Sequence, residues 1–124
     1  ISDNRISTVV KERSDREISD KIIAYLNAHT SENLTFSQVL KFSRLSKTNL
    51  ITIFKAQTGM SVMEYFRTLK IEKAKLMIRE ENLNFTQISE ALGYNSIHYF
   101  SRQFKNITGM SPTEYAYSVK AKIQ

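Results

Sequence analysis

The chain has 124 residues, 41% of them hydrophobic and 24% charged, with a net charge of +6 and no cysteine. That length suits one ordinary domain or two small lobes, and the apolar share argues against a disordered chain. Without cysteine there are no disulfides or thiolate metal sites, and no apolar run approaches the ~20 residues needed to span a bilayer. The opening residues are polar and charged and do not read as a secretory leader, so the expected compartment is the reducing cytoplasm, with no membrane partner.

In chain order, residues 1–16 read as a linker from an upstream domain lying outside these residues. Seven helices are then expected near 17–29, 35–43, 47–57, 61–80, 85–92, 96–107 and 111–121, and no strands, so the fold class is all-α. Charge divides along the same line. Residues 1–33 hold five basic and six acidic side chains, a net of −1, whereas residues 34–124 hold thirteen and six, a net of +7. The later part therefore calls for an anionic partner, nucleic acid before membrane, against the plainer reading of a solvated basic surface.

The strongest signal is a duplication. "FKAQTGMSVMEY" at 54–65 returns as "FKNITGMSPTEY" at 104–115, identical at eight of twelve positions. In both copies a glycine, Gly59 or Gly109, follows an apolar-periodic run, where a left-handed residue closes a helix at least cost. Two residues on, Ser61 with Glu64 and Ser111 with Glu114 form the Ser-x-x-Glu pattern of a capping box, and Pro112 takes the first helical position. Each copy thus encodes a helix end, a tight turn and a new helix.

The upstream halves also match. "TFSQVLKFSRLS" at 35–46 parallels "NFTQISEALGYN" at 84–95, with Thr35/Gln38 and Asn84/Gln87 as cap pairs and Ser46 and Asn95 as candidate caps of the next helix. The offset grows from 49 to 50 between the halves, so the second unit carries one extra residue between Asn95 and Phe100. Short helix, tight turn and longer helix make a helix–turn–helix, whose second helix can enter a DNA major groove. Stacked helical arrays also duplicate sequence, but they generally need three or more repeats, and here there are two.

Between the units, the helix at 61–80 is apolar on two stripes, with Val62, Phe66 and Leu69 on one and Ile71, Ala74 and Ile78 on another. It is expected to pack on both sides. Twenty residues at 1.5 Å each give ~30 Å, near the ~34 Å between major-groove faces one turn apart.

Helical spacing separates core from outer face in the two candidate reading helices. In the first, Leu50, Ile53 and Phe54 point inward and Thr48, Ile51, Thr52 and Lys55 outward. In the second, Phe100, Phe104 and Ile107 point inward and His98, Ser101, Arg102 and Lys105 outward. An outward Arg102 can hold guanine O6 and N7 bidentately, and threonines or Ile51 can meet thymine methyls. Lysines suit phosphates, which position without specifying. The structural alternatives are an ion pair for Arg102 and a core or lobe-interface place for Ile51. His29 reads as a helix-end residue.

With these residues in view, the chain resembles the C-terminal DNA-binding domain of the AraC/XylS transcription regulators. The resemblance covers about residues 18–119 and is most specific in the second unit. There Lys70, Ile71, Ala74, Ile78, Phe85, Ile88, Gly93, Tyr94, Phe100, Phe104, Gly109 and Pro112 meet the family's spaced pattern. It implies two homeodomain-like helix–turn–helix lobes, 17–60 and 81–124, joined by a long linker helix at 61–80. These lobes would read adjacent major-groove segments of double-stranded DNA.

Carried over by position, base contacts fall on Thr48, Ile51, Thr52, Ile97, His98 and Arg102. Phosphate contacts fall on Ser46, Lys47, Lys55, Arg67, Thr86, Ser96 and Lys105. The family further implies transcription regulation, usually activation through RNA polymerase, and a separate sensor or dimerisation domain. Three positions depart from the pattern. Leu40 stands where a small residue is usual (Ser89 in the second unit), Arg44 replaces the turn glycine kept as Gly93, and Thr52 stands where the second unit has Arg102.

No catalytic, metal or cofactor residues are expected. The three aspartates, Asp3, Asp15 and Asp20, all lie near the start, and no histidine sits beside a nucleophile or a carboxylate pair. The competing class is a helical protein-interaction module, separable by the steep salt dependence of DNA binding. RNA binding is disfavoured because no aromatic sheet motif appears.

Overall fold

A computed structural model describes residues 3–80 and 82–123 of the chain. It contains seven helices: α1 (Asp3–Ala28), α2 (Phe36–Ser43), α3 (Lys47–Thr58), α4 (Val62–Glu80), α5 (Phe85–Ala91), α6 (Ile97–Thr108) and α7 (Pro112–Ile123). No strand occurs among the described residues. Six of the helices start and stop within two residues of the sequence-based expectation. α1 does not: it is one helix from Asp3, where the first helix was expected to begin near residue 17, after a linker. Residues 3–28 contain neither glycine nor proline, so nothing in the chain breaks the helix before the polar stretch that follows Ala28.

The chain divides into two compact units. The first comprises residues 1–28 and 34–65, and the second 29–33 and 66–124. α4 therefore begins in the first unit and continues in the second. In the first unit α1, α2 and α3 pack on one another. They bury Ile22, Leu26, Leu34, Val39, Leu50, Phe54 and Val62, each at most 7% exposed. Tyr25 of α1 stacks on Phe42 of α2 with ring centroids 4.0 Å apart. In the second unit Ile71, Ala74, Ile88, Leu92, Tyr94, Phe100 and Phe104 form the core, with Met77, Ile78, Phe85 and Tyr115 packed around it.

The duplicated words are duplicated geometry. Thr35 and Asn84 close reciprocal capping boxes with Gln38 and Gln87. Gly59 and Gly109 adopt left-handed φ of 76° and 83°, and their amides donate to the Lys55 and Lys105 carbonyls. The preceding threonines repeat as well: the Thr58 and Thr108 hydroxyls each donate 2.8 Å to the carbonyl four residues back, Phe54 and Phe104. Ser61 and Ser111 accept from the Glu64 and Glu114 amides at 3.2 and 3.1 Å, starting α4 and α7.

Candidate nucleic-acid interface

In the first unit α3 follows a three-residue turn. Arg44 is left-handed there, with φ 58°, and Ser46 caps α3 by accepting the Asn49 amide at 3.1 Å. Spacing of four puts Leu50 and Phe54 into the core at 0% exposure, and Phe54 meets Tyr65 edge-on at 5.4 Å. The opposite stripe, Thr48, Ile51, Thr52 and Lys55, is exposed, as are Ser46 and Lys47. Ile51 is 49% exposed, so it is not a core residue. With Phe36, Lys47, Lys55, Val62 and Met63 it lines an open hollow of about 550 Å³.

The second unit repeats this plan with a modified turn. α5 ends at Ala91, and the Tyr94 amide bonds back to the Ser89 carbonyl at 3.0 Å. The extra residue falls earlier than expected: it is Asn95 itself, before the cap of α6, and not a residue between Asn95 and Phe100. Asn95 does not cap α6, as its alignment with Ser46 suggested. Ser96 does, accepting the Tyr99 amide at 3.1 Å, because the insertion moves the serine, and not the asparagine, into register with the helix.

Phe100 and Phe104 are fully buried. The Tyr94 hydroxyl donates to Gln103 at 2.8 Å and Gln103 donates to the Tyr99 hydroxyl at 3.0 Å, a relay that ties the turn to the flank of α6. Burial pushes the Tyr94 phenol well above its ordinary range, the Tyr99 charge adds to that, and Arg67 opposes it, so the hydroxyl stays a donor.

His98, Arg102 and Lys105 are exposed on α6, and Ser101 is half-buried beside them. Arg102 has no ion-pair partner among the described residues, so its guanidinium fork is open. Ile107, expected in the core, is 37% exposed: it lies in the last turn before Gly109, beyond the part of the helix that Phe100 and Phe104 anchor. Of the other position-matched residues, Thr86 and Ser96 are exposed, whereas Ile97 and Arg67 are half-buried. No cluster of metal-ligating side chains occurs among the described residues, and none of their helices is long and apolar enough to cross a membrane.

Sequence reasoning met Lys70 only within the family pattern and gave no role to Lys73 or to the segment 29–33, to which both lysines hydrogen-bond. Lys70 is 5% exposed. Its ammonium donates to the backbone carbonyls of Glu32 and Leu92 and lies 5.0 and 5.1 Å from the Phe66 and Tyr94 ring centroids. Desolvation lowers its pKa to about 8, against an opposing pull from Glu32. The one available signal was Gly93, kept where the first unit has Arg44.

A helix–turn–helix domain family model matches residues 39–117, well over half of the chain. The chain belongs to the AraC/XylS family. It is 38% identical over 93 residues to the uncharacterised helix–turn–helix transcriptional regulator YobQ of Bacillus subtilis, a match covering 75% of this chain and 39% of YobQ. Among solved structures, the C-terminal domain of AraT, a response regulator from Geobacillus stearothermophilus, superposes with a TM-score of 0.76 at 30% identity, covering 82% of this chain and 84% of that one. The DNA-binding domain of AdpA, a global transcriptional factor solved in complex with a target DNA, shares the fold with a TM-score of 0.77 at 16% identity, covering 84% and 94% of the two chains. The chain spans between a third and two-fifths of the first curated relatives it matches. What the chain carries is a helix–turn–helix domain of the kind found in these transcriptional regulators.

Proposed function

We propose that the domain binds duplex DNA as a monomer, with α3 and α6 each entering a major groove at half-elements about one helical turn apart. The observation that carries this reading is the repeated helix–turn–helix with an exposed polar stripe at equivalent positions of both second helices. Thr48, Ile51 and Thr52 face bases from α3, and His98 and Arg102 from α6, with half-buried Ile97 at the rim of that face. Ser46, Lys47, Lys55, Thr86, Ser96 and Lys105 take phosphates, and Arg67 takes one through whatever part of its guanidinium clears Tyr94. The capping serines accept helix amides through their lone pairs, which leaves each hydroxyl hydrogen to donate to a phosphate oxygen.

The complex of AdpA with DNA supports the partner class. The greater length of the relatives supports a further sensing or dimerisation domain, which the segment 1–16 would join to 17–124. With lobes at 17–60 and 81–124 about the helix 61–80, the protein regulates transcription in the cytoplasm, as an activator contacting RNA polymerase. Footprinting tests the binding mode: two protected patches about one turn apart are expected, and protection confined to ~5 base pairs, or none, overturns it. Gel shifts at two salt concentrations separate DNA binding, which weakens steeply with salt, from a protein-interaction module, which does not.

A further inference from the structure

The five residues 29–33 leave α1 and return toward α2, yet they belong to the second unit. Three of them are hydrogen-bonded to it and a fourth lies against it. The Thr30 hydroxyl, on a residue 5% exposed, accepts from Lys73 Nζ at 2.6 Å. The Ser31 carbonyl lies so close to Gly93 that a Cβ added there would sit 2.7 Å from its oxygen. The Glu32 carbonyl accepts from Lys70 Nζ at 2.7 Å, and the same ammonium also holds the Leu92 carbonyl. The Asn33 amide donates to the Asn95 side-chain oxygen at 3.3 Å. Within the segment, the Glu32 amide bonds to the His29 carbonyl at 3.0 Å, closing it into a turn.

Through Lys70, a close backbone approach and the Asn33 amide, the segment reaches Leu92, Gly93 and Asn95, which lie between the end of α5 and the cap of α6. A helix direction is fixed by the dihedrals of the few residues that enter it, and those residues here are held from outside the helix–turn–helix. We infer that residues 29–33 form a strap that sets the angle at which α6 leaves its turn, with Lys70 and Asn33 as positioning residues for the second reading helix. This rests on the DNA-reading role proposed above.

The chemistry of the clamp fits the task. One ammonium with three donors satisfies two carbonyls from segments 60 residues apart in sequence while two aromatic faces shield it. A hydrophobic residue in its place would leave both carbonyls without that partner and remove the link. In the turn of the first unit the left-handed residue is an arginine.

The test uses Lys70→Met, Lys70→Arg and Asn33→Ala on duplexes in which one half-element at a time is scrambled. Lys70→Met is expected to weaken binding to the intact duplex roughly tenfold, and Asn33→Ala about two- to threefold. Both should leave affinity unchanged on the duplex that keeps only the α3 half-element, with Lys70→Arg recovering part of the loss. Equal losses on both half-elements, or no loss, overturn the strap.

Amide hydrogen exchange without DNA supplies an independent reading. Exchange at Gly93 to Ser96 should quicken in Lys70→Met and Asn33→Ala while α7 is unchanged. Unaltered exchange there overturns the inference. If Lys70→Met does not fold, Asn33→Ala, which alters an exposed contact, decides the question alone. A wild-type domain that protects no second half-element refutes the proposed function instead, and the exchange data still judge the strap.

Discussion

The two helix–turn–helix motifs are copies in sequence and differ at the turn. In the first, the residue after α2 is Arg44 at φ 58°, the only left-handed residue other than glycine among the described positions. In the second, the corresponding residue is Gly93 at φ 76°, pressed against the Ser31 carbonyl. Both turns demand a left-handed backbone, which costs an L-residue about 1–2 kcal/mol. Only the second also lacks room for a side chain. Glycine at one site and arginine at the other therefore report different constraints: conformation alone in the first unit, conformation plus a strap in the second.

Gly93→Ala should be the most damaging change. Its methyl meets backbone that no rotamer change can clear, on top of the left-handed penalty, so a loss of at least about 2 kcal/mol in the second unit is expected. Chemical denaturation followed by a probe in the second unit checks it. A loss smaller than that of the same substitution at Gly59, where no atom lies within 4 Å of an added Cβ, would dissolve the contrast between free and clamped turns.

The reading helices sharpen the comparison next. Arg102 presents an open guanidinium where the first unit has Thr52, so Arg102→Ala should cost roughly 1–3 kcal/mol on the preferred site and relax base preference beneath α6. Thr52→Ala should do less at its own half-element. Binding-site selection on the two variants decides: an unchanged motif for Arg102→Ala with an altered one for Thr52→Ala reverses the division of labour. Lys55→Ala should weaken all sequences alike and lower the salt slope by about one, as loss of a phosphate contact does.

Much of this was legible in the chain. Cap pairs, turn glycines and the spacing of Leu50/Phe54 and Phe100/Phe104 depend on neighbours within four residues, and the duplication let each copy check the other. The strap was not legible because nothing local marks "HTSEN" as attached to a turn 60 residues away. Its partners, Lys70 and Gly93, look like an ordinary helix lysine and an ordinary turn glycine until burial is known. Ser96 could have been read as the cap because it matches Ser46 at the offset of 50 that holds through α6. The early start of α1 was missed because residues 7–14 are exposed and have no apolar stripe to announce a helix.

Lys70 gives the clamped unit a pH signature that the other turn lacks. Its folded pKa of about 8 lies below its ordinary 10.5, so between those values the unfolded chain binds more protons. Stability should therefore rise as pH climbs from about 8. Tyr94 works the other way: its folded pKa is raised above 10, so its contribution falls away beyond pH 10. The expected rise is confined to about pH 8–10, with Glu32 the nearby carboxylate that moderates it. A neutral amine keeps two N–H donors for the two carbonyls, so the strap survives the titration. Denaturation curves across this window should show the rise in the wild type and not in Lys70→Met.

The smallest effect lies at the unclamped turn. Arg44 holds a left-handed backbone with no glycine to relieve it, and its side chain is exposed. Arg44→Gly should release the left-handed penalty while adding backbone entropy to the unfolded state, for a net gain of no more than about 1 kcal/mol. The gain should appear as a shift in the denaturation midpoint of the first unit, with α6 binding untouched. A loss of stability would mean that the Arg44 side chain holds the first turn together through contacts of its own. The two turns would then both be clamped, one by a distant strap and the other by the residue in the turn itself.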